Sequence, residues 1–405
     1  MKKHNKNSML RVPYALSVHG REESQAVSRV IDEHRTALGI ETRSFEKDVA
    51  RLFGKKYGIM VNSGSSANLL AFELLNLPRG SEVITPILTF NTTVSPILQK
   101  GLVPVFVDVK PKTFLADLDQ IEKKITKKTK VLMIPSLIGN VPDLPKLQRL
   151  ARKHKLFLIE DSCDTLGATF KGKPTGRFSD ISTTSFYGSH VINAAGGGGM
   201  ICVNDPRWRD RLLMLRGWGR TSALFADSEK FSERFKMKLV GVPYDGKFIF
   251  SEVGYNFLPL EISAAFGRVQ LRKLPKFTKI RQGNFAGLLK YFRRWEKYFE
   301  LPVQTPGTRT NWIAFPLVIR AGAPFSRIEI VKFLETRNIQ TRPVFSGNIL
   351  RQPAYVRLAK SKGLAKFPVA DRIMRNAFVV GCHHGLTERH LRRLKHVFDQ
   401  FLKAL

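Results

Sequence analysis

The chain of 405 residues contains only three cysteines, Cys163, Cys202 and Cys382, which lie far apart. Without a Cys-x-x-Cys pair, neither a disulfide framework nor a zinc or iron–sulfur site is indicated. Long hydrophobic runs are also missing. No segment reaches the roughly 18 to 20 apolar residues that a membrane helix needs, and the first twenty residues lack the apolar region of a signal peptide. We therefore expect a globular cytoplasmic protein that is not inserted in a membrane.

Acidic residues are scarce: 33 Asp and Glu against 67 Lys and Arg give a formal net charge of +34. Such a balance suits nucleic-acid binding, and it equally suits an enzyme whose substrate and cofactor both carry phosphates. The basic residues are spread along the chain, and the cluster at 389–395 also carries apolar residues at helical spacing, which is typical of a solvated helix face over a core face. No nucleic-acid motif accompanies the charge, so nucleic acid is not an expected partner.

The adjacent His383 and His384 could suggest a metal site. In a strand, however, neighbouring side chains point to opposite faces, and no third ligand is spaced nearby. We therefore expect no bound metal.

Short apolar runs alternate with segments of helical period. The predicted strands are 59–61, 82–84, 104–107, 131–134 and 156–159, and the predicted helices are 66–75, 117–125 and 144–154. This alternation predicts an α/β fold with a mostly parallel central sheet, in which ligands bind at the carboxyl ends of the strands. After about residue 275 come basic-aromatic helical segments and a new strand at 312–319. We predict a large domain over 1–275 and a smaller C-terminal α/β domain over 276–405.

Polar motifs follow three of the strands. Asn62 to Asn68 reads Asn-Ser-Gly-Ser-Ser-Ala-Asn, a turn opening a helix, where backbone N–H groups can hold a phosphate, although a serine-rich turn is more often only a helix cap. Glu160-Asp161 ends another strand, where a carboxylate could bond a protonated pyridine nitrogen, cap a helix or bind a metal. Ser185 and His190 lie at the next strand exit. That stretch could also be a polar loop with an incidental histidine.

The order and spacing of these motifs resemble one enzyme family over nearly the whole chain. It is the sugar aminotransferase and dehydratase group of fold-type-I pyridoxal-phosphate (PLP) enzymes, called DegT/DnrJ/EryC1/StrS. Further matching stretches are Ser44-Phe45-Glu46-Lys47, Thr89-Phe90, 104–109, Ser185-Phe186 and Gly254-Tyr255-Asn256. The resemblance implies an aspartate aminotransferase-like fold with PLP or pyridoxamine phosphate (PMP) as cofactor.

The resemblance also implies roles for the residues at matching positions. Phe90 would stack on the pyridine ring, Asp161 would pair with the ring nitrogen, and Asp164 would approach the ring hydroxyl. The cofactor phosphate would be held by Gly64, Ser65, Ser66 and Ser185. Asn256 would reach the phosphate of the neighbouring subunit, which implies a homodimer with shared active sites.

Most members of this family hold a Schiff-base lysine where this chain has His190, and no lysine occurs here between Lys173 and Lys230. In this the chain resembles the NDP-4-keto-6-deoxyhexose 3-dehydratases, among them GDP-4-keto-6-deoxymannose 3-dehydratase. Imidazole cannot form the covalent imine, but it moves protons near neutral pH. The resemblance therefore implies that His190 is the base in removal of the C3 hydroxyl from a nucleotide-linked 4-keto-6-deoxy sugar, as in deoxysugar and lipopolysaccharide O-antigen biosynthesis.

Two departures from the family refine this expectation. Some relatives carry an iron–sulfur centre in the segment that corresponds to 221–235, where this chain has no cysteine, so cofactor regeneration by L-glutamate is favoured. Gly196 stands where relatives often have glutamate. Candidate substrate contacts are Arg220, Arg342 and Asn348, because guanidinium groups bind phosphate oxygens bidentately. A surface salt bridge or loop hydrogen bond remains an equal alternative for each.

Two other functions stay open. The chain could be an aminotransferase-like enzyme that uses His190 for a different reaction, or a catalytically silent member of the fold with a binding or regulatory role. Intact Phe90, Asp161 and Ser185 argue against the silent alternative.

Overall fold

The structure, a computed structural model, describes residues 10–362 and 367–405. The helices are α1 Arg21–Asp32, α2 Ile40–Phe53, α3 Gly64–Leu75, α4 Asn91–Gln99, α5 Leu118–Lys124, α6 Leu144–Lys153, α7 Pro206–Arg216, α8 Phe231–Arg234, α9 Glu261–Phe292, α10 Arg327–Glu335, α11 Val356–Lys362, α12 Pro368–Asn376 and α13 Glu388–Leu402. In the part of the chain that is described, no helix is both long and apolar enough to cross a membrane.

The strands are short and numerous. They are β1 Tyr57–Val61, β2 Glu82–Pro86, β3 Val103–Val107, β4 Thr129–Pro135, β5 Phe157–Asp161, β6 Thr169–Phe170, β7 Lys173–Pro174, β8 Ile181–Ser185, β9 Gly199–Val203, β10 Met237–Leu239, β11 Val242–Tyr244, β12 Phe299–Glu300, β13 Thr308–Arg309, β14 Ala314–Ile319, β15 Thr341–Arg342 and β16 Ala377–Gly381.

The central sheet has seven strands in the order β1-β9-β8-β5-β4-β2-β3. Only β9 runs antiparallel to its neighbours, while β8, β5, β4, β2 and β3 pair in parallel. The mostly parallel sheet predicted from the sequence is therefore confirmed, and β1 to β5 overlap the five predicted strands. They were recognisable because strands that are buried on both faces read as short continuous apolar runs.

Helices cover both faces of this sheet. Successive residues of a strand point to opposite sides, so Val131 and Met133 of β4 pack in the core beneath α3 and α7. Leu132 and Ile134 of the same strand pack beneath α5 and α6 on the other side. The carboxyl edge of the sheet is left to loops, which is where the polar motifs lie.

A second sheet of four antiparallel strands, β12-β14-β16-β15, forms the smaller unit. The long helix α9 belongs to both units, because Ala264 packs with α2 whereas Phe285 and Phe292 pack in the core of the second sheet. The predicted division at residue 275 falls inside α9. Pro275 lacks one backbone N–H without ending the helix, and the first strand of the smaller sheet begins only at Phe299.

The segment before α1 crosses to the smaller unit. Val12 N donates to Asn338 O at 2.8 Å, and Gln340 N donates to Val12 O at 2.9 Å. The side chain of Val12 is 1% exposed. Although the predicted large domain includes this segment, the structure packs it against the small sheet, which brings Tyr14 to the carboxyl edge of the central sheet.

Candidate active site

The loops that follow β1, β2, β4, β5 and β8 surround a cavity of about 490 Å³. Carboxyl ends of parallel strands share one edge of a sheet, so motifs far apart in the chain meet there. Of the twelve residues predicted to form the site, seven line this cavity: Gly64, Ser65, Phe90, Asp161, Asp164, Ser185 and His190.

The turn after β1 brings backbone close to the cavity. A Cβ at Gly64 would lie 2.6 Å from Ser185 Cβ and 3.0 Å from Cys163 Sγ, so only glycine fits there. Ser65 follows in the first turn of α3, where helix N–H groups favour an anion. This close approach of backbone fits a phosphate beside Ser185.

Ser66 has a different environment from its neighbours. Its hydroxyl donates to Asn62 Oδ1 at 2.6 Å, and its N–H is capped by Ser63 Oγ at 3.1 Å. It is not among the described residues that line the cavity. We therefore do not retain the Ser66 side chain as a phosphate ligand, because its hydrogen bonds stabilise the turn itself.

Asp161, at the end of β5, is 6% exposed and held by three donors. Asn68 Nδ2 and Thr93 Oγ1 donate to Oδ2 at 3.0 and 2.9 Å, and Cys163 N donates to Oδ1 at 3.2 Å. A buried carboxylate needs such partners. They fix its orientation toward the cavity.

Asp164 lies in the loop that follows β5, three residues after Asp161. Burial and the nearby charge of Asp161 raise the pKa of Asp164 to about 7. Its Oδ2 accepts a hydrogen bond from Ile138 N at 2.9 Å. Ile138 has a φ of 58°, which is unusual for a β-branched residue and costs about 1–3 kcal/mol. The loop after β4 is therefore held in a strained conformation against Asp164.

His190 is half-buried, and its ring lies in the loop after β8. Its Nδ1 lies 3.4 Å from Ser185 O. Because a carbonyl only accepts, this contact places the proton on Nδ1 and leaves Nε2 as the acceptor. Burial lowers the pKa of His190 to about 4, so the imidazole is neutral at pH 7. A neutral ring with a free acceptor nitrogen can act as a base.

Phe90 precedes α4 and is 53% exposed. The Phe345 ring meets it edge-on at 6.1 Å between centroids. Both rings, together with Tyr14, also line a second cavity of about 690 Å³ that adjoins the first. Arg342 lies on this second cavity, with its guanidinium 5.7 Å from the Tyr14 ring. The exposed face of Phe90 is available for stacking, and Arg342 stands beside the adjoining space.

Three predicted residues lie away from both cavities. Asn256 is exposed and pairs with Gly217, and the Arg220 guanidinium stacks 4.3 Å from the Trp218 ring. Asn348 is 2% exposed. It donates to Asp371 Oδ1 at 2.8 Å and accepts from Leu350 N at 3.1 Å. Because its amide is already bonded within the protein, we withdraw Asn348 as a substrate contact.

The loop between His190 and β9 explains the departure at Gly196. This residue has a φ of 95°, a conformation that glycine adopts freely and glutamate does not.

The adjacent histidines His383 and His384 both have hydrogen-bond partners within the protein. His383 Nε2 lies 3.1 Å from Pro13 O, and His384 Nδ1 accepts from Arg281 Nε at 3.2 Å. Within the described residues no group of three or more potential metal ligands occurs.

Known proteins share this architecture. A profile of the DegT/DnrJ/EryC1/StrS aminotransferase family matches residues 18–399. The chain belongs to this family. It is 35% identical to the lipopolysaccharide biosynthesis protein RfbH of Salmonella typhimurium over 96% of this chain and 91% of that protein. It is 33% identical to GDP-4-keto-6-deoxy-D-mannose 3-dehydratase of Yersinia pseudotuberculosis, over 97% and 99% of the two chains.

A solved structure extends the similarity to three dimensions. The E. coli GDP-4-keto-6-deoxy-D-mannose-3-dehydratase with bound hydrated PLP matches with a TM-score of 0.86 and 29% identity, covering 96% of this chain and 100% of that one. The predicted fold-type-I, aspartate aminotransferase-like fold is confirmed. For this DegT/DnrJ/EryC1/StrS member, the predicted roles of individual side chains remain predictions.

Several residues that line the cavity were not predicted from the sequence. Tyr14 comes from the segment before α1, which carries no motif. Its place depends on hydrogen bonds with residues 338–340, more than 300 residues away. Thr92 lies beside Ser65, whose hydroxyl donates to Thr92 Oγ1 at 3.0 Å. Thr92 and Thr93 could have been found, because they lie two and three residues after Phe90 of the matching Thr89-Phe90 stretch.

We predict that Gly64→Ala weakens PLP binding at least tenfold, since the added methyl group collides with Ser185 and pushes outward the turn that is predicted to hold the phosphate. Spectroscopic titration of the apo-protein with PLP measures the affinity. Gly283→Ala is the matched control, because its Cβ would meet nothing within 4 Å in the exposed face of α9. We expect Gly283→Ala to keep full affinity. Equal affinities for the two variants would contradict the placement of the phosphate.

Proposed function

We propose that this protein is a PLP/PMP-dependent 3-dehydratase. It removes the C3 hydroxyl of a nucleotide-linked 4-keto-6-deoxyhexose, and L-glutamate regenerates the amine form of the cofactor. The observation that carries this proposal is the composition of the cavity. Its lining includes both His190 and Asp161, and none of the described lining residues is a lysine.

The proposed cofactor fits the residues that are present. Gly64, Ser65 and Ser185 would hold the phosphate, Phe90 would cover one face of the ring, and Asp161 would accept a hydrogen bond from the pyridinium nitrogen. When bound, the cofactor supplies an electron sink for a carbanion formed next to it. The three hydrogen bonds that Asp161 accepts hold its carboxylate ready for that role.

His190 would move the proton. Its Nδ1–H is directed at Ser185 O, so Nε2 can take up a proton from a carbon acid bound in the cavity and release it again. The pKa of about 4 keeps the ring unprotonated at pH 7. A well-placed general base contributes roughly 10²–10⁴-fold to rate. No covalent attachment by His190 is required.

The names of the relatives support dehydration without deciding it. The Yersinia and E. coli proteins above are named 3-dehydratases, whereas the family is named for aminotransferases. Nitrogen transfer by a typical member uses an amine that holds the cofactor covalently. The described cavity offers an imidazole in that place, which favours the dehydratase over an aminotransferase.

The reaction can be identified from its product. We predict that purified protein, incubated with PLP, L-glutamate and a panel of NDP-4-keto-6-deoxyhexoses, yields a sugar that has lost one oxygen and gained no nitrogen. Mass spectrometry of the nucleotide sugars measures both. Reactions without glutamate are the control, and they should stop after at most one turnover per active site. An amino sugar as the product would contradict the proposal that the protein is a dehydratase.

We predict that His190→Asn binds PLP with an affinity close to that of the unaltered protein but turns over roughly 10²–10⁴-fold more slowly, because asparagine keeps a polar side chain and cannot take up the proton. Steady-state kinetics and PLP titration separate the two effects. His396→Asn, at an exposed position on α13, is the matched control and should keep full turnover. Unchanged turnover in His190→Asn would remove this residue from the mechanism.

The surface around Asn256 supports a homodimer. Apolar side chains that face solvent concentrate between residues 218 and 260, and Val240 and Val253 are almost fully exposed (103% and 96%). Monomers rarely leave such a concentration uncovered. Because Arg220 and Asn256 lie in the same segment and outside the cavity of their own chain, we propose that they serve the cavity of a second copy.

Shared active sites make two inactive variants complement each other. We predict that His190→Asn and Asn256→Ala are each impaired alone, and that mixing them after reversible dissociation restores roughly a quarter of the activity, since half the dimers are mixed and each has one intact site. Activity after mixing is compared with that of each variant treated alone. Recovery no greater than the sum of the separate variants would show that Asn256 serves its own chain.

A further inference from the structure

Arg281, in the middle of α9, is a buried cation that the mechanism above does not use. Its side chain is 1% exposed. In the described parts of the chain, no carboxylate lies within salt-bridge distance of its guanidinium. Burying an arginine in such a place lowers stability, because taking a charge out of water costs several kcal/mol of free energy unless hydrogen bonds replace the solvent. Its presence therefore calls for a reason other than packing.

The guanidinium donates to three separate segments. Nε donates to His384 Nδ1 at 3.2 Å, Nη1 to Trp312 O at 3.1 Å and Nη2 to His190 O at 3.2 Å. The first two acceptors belong to the smaller unit, next to β14 and β16. The third is the peptide of the proposed base. One planar group thus joins α9, the small sheet and the active-site loop.

The acceptor on His384 is itself fixed. The His384 ring stacks on Phe277, one turn earlier on α9, at 3.9 Å between centroids and 17° between planes. Its Nδ1 must be unprotonated to accept from arginine, and burial lowers the pKa of His384 to about 3. The ring is therefore neutral at pH 7 and serves as a rigid acceptor rather than a second charge.

At the other end, Arg281 completes the restraints on His190. The His190 N–H donates to Tyr187 O at 2.9 Å, and its ring Nδ1 contacts Ser185 O at 3.4 Å. The carbonyl is the remaining backbone group, and Arg281 holds it. Because the backbone N–H and the backbone C=O of His190 are both hydrogen-bonded, the direction of its Cα–Cβ bond is set. The position of Nε2 in the cavity is set with it.

The charge of Arg281 acts on the same residue. The groups that influence His190 electrostatically are Arg281 from α9, which disfavours the imidazolium, and Asp161 from β5, which favours it. The contact with Ser185 O also favours the protonated ring. Burial lowers the pKa of Arg281 to about 10, so the guanidinium remains charged at pH 7.

We propose that Arg281 is a positioning residue that holds the peptide of His190 and thereby aims its imidazole into the cavity. A guanidinium suits this task because its planar fork presents several donors in fixed directions. The catalytic consequence rests on the proposed role of His190 as the base, whereas the positioning itself does not. The position of the base would then depend on the packing of the small unit against α9.

The test uses Arg281→Met, which keeps much of the side-chain volume, and Arg281→Lys, which keeps the charge and loses the fork. Arg272→Met, at an exposed position on the same helix, is the matched control. Circular dichroism and thermal melting check folding. The first readout is made on the apo-protein: diethyl pyrocarbonate modifies neutral imidazole, and peptide mass spectrometry follows the rate at His190 between about pH 5.5 and pH 7.5.

In the unaltered protein and in Arg272→Met, we expect slow modification of His190 at a rate that is flat over this pH range, because the ring is neutral throughout. In Arg281→Met the rate should rise several-fold over this pH range, because the peptide of His190 is no longer held. Loss of the positive charge also raises the pKa of His190, but only part of the way to its usual value, since burial is the larger cause of the lowered pKa. Arg281→Lys should also react faster, since its peptide is no longer held. If His190 in the folded lysine variant reacts as in the unaltered protein, the proposal is wrong, even where the methionine variant does not fold.

The second readout is kinetic. We expect kcat to fall roughly 10- to 100-fold in Arg281→Lys, as for a misplaced catalytic group, with KM and PLP affinity nearly unchanged. In the His190→Asn background, Arg281→Lys should cause no further loss, because the residue acts through His190. Full additivity of the two losses would overturn the proposal. Failure of the proposed function is seen separately, as full turnover in His190→Asn alone.

Discussion

The carboxylate of Asp161 is the junction on which the active-site edge depends. It accepts from Asn68 in α3 and from Thr93 in α4, while it stands at the end of β5. Asn68 in turn accepts from Thr183 Oγ1 of β8 at 2.6 Å. A buried carboxylate without these donors would carry a large desolvation cost, so the need to satisfy it ties two strands and two helices together at the point where the cofactor would lie.

Burial shifts the pKa values of the acidic and basic groups of the cavity in opposite directions. Removal from water disfavours the charged form, so it raises the pKa of Asp164 to about 7 and lowers that of His190 to about 4. The chain as a whole is strongly basic, yet this excess lies outside the site and does not decide its chemistry. The protonation of His190 is set locally, by burial first and then by the charges of Arg281 and Asp161.

Much of the fold could be predicted because its elements are local. Strands buried on both faces are continuous apolar runs, and β1 to β5 were recognisable on that basis. The predicted division at 275 falls inside α9, because Pro275 lacks one backbone N–H but does not end the helix, which continues to Phe292. The predicted large domain also includes the segment containing Val12, although this segment packs against the small sheet. Its pairing partner is remote in sequence, and no local pattern in the sequence indicates the contact.

Some features of the candidate site could likewise be predicted from the sequence, and others could not. The sequence by itself determined the polar motifs, their order along the sheet and the substitution of histidine for lysine at position 190, since these are properties of short segments. Only the tertiary structure decided that Ser66 and Asn348 are occupied by internal hydrogen bonds, that Tyr14 reaches the cavity, and that Arg281 holds the peptide of His190. The hydrogen bonds of Ser66 and Asn348 depend on how their own turn and loop fold. The other two outcomes depend on contacts between remote segments, 326 residues apart for Tyr14 and Gln340 and 91 for His190 and Arg281, which arise only when the two sheets pack around α9.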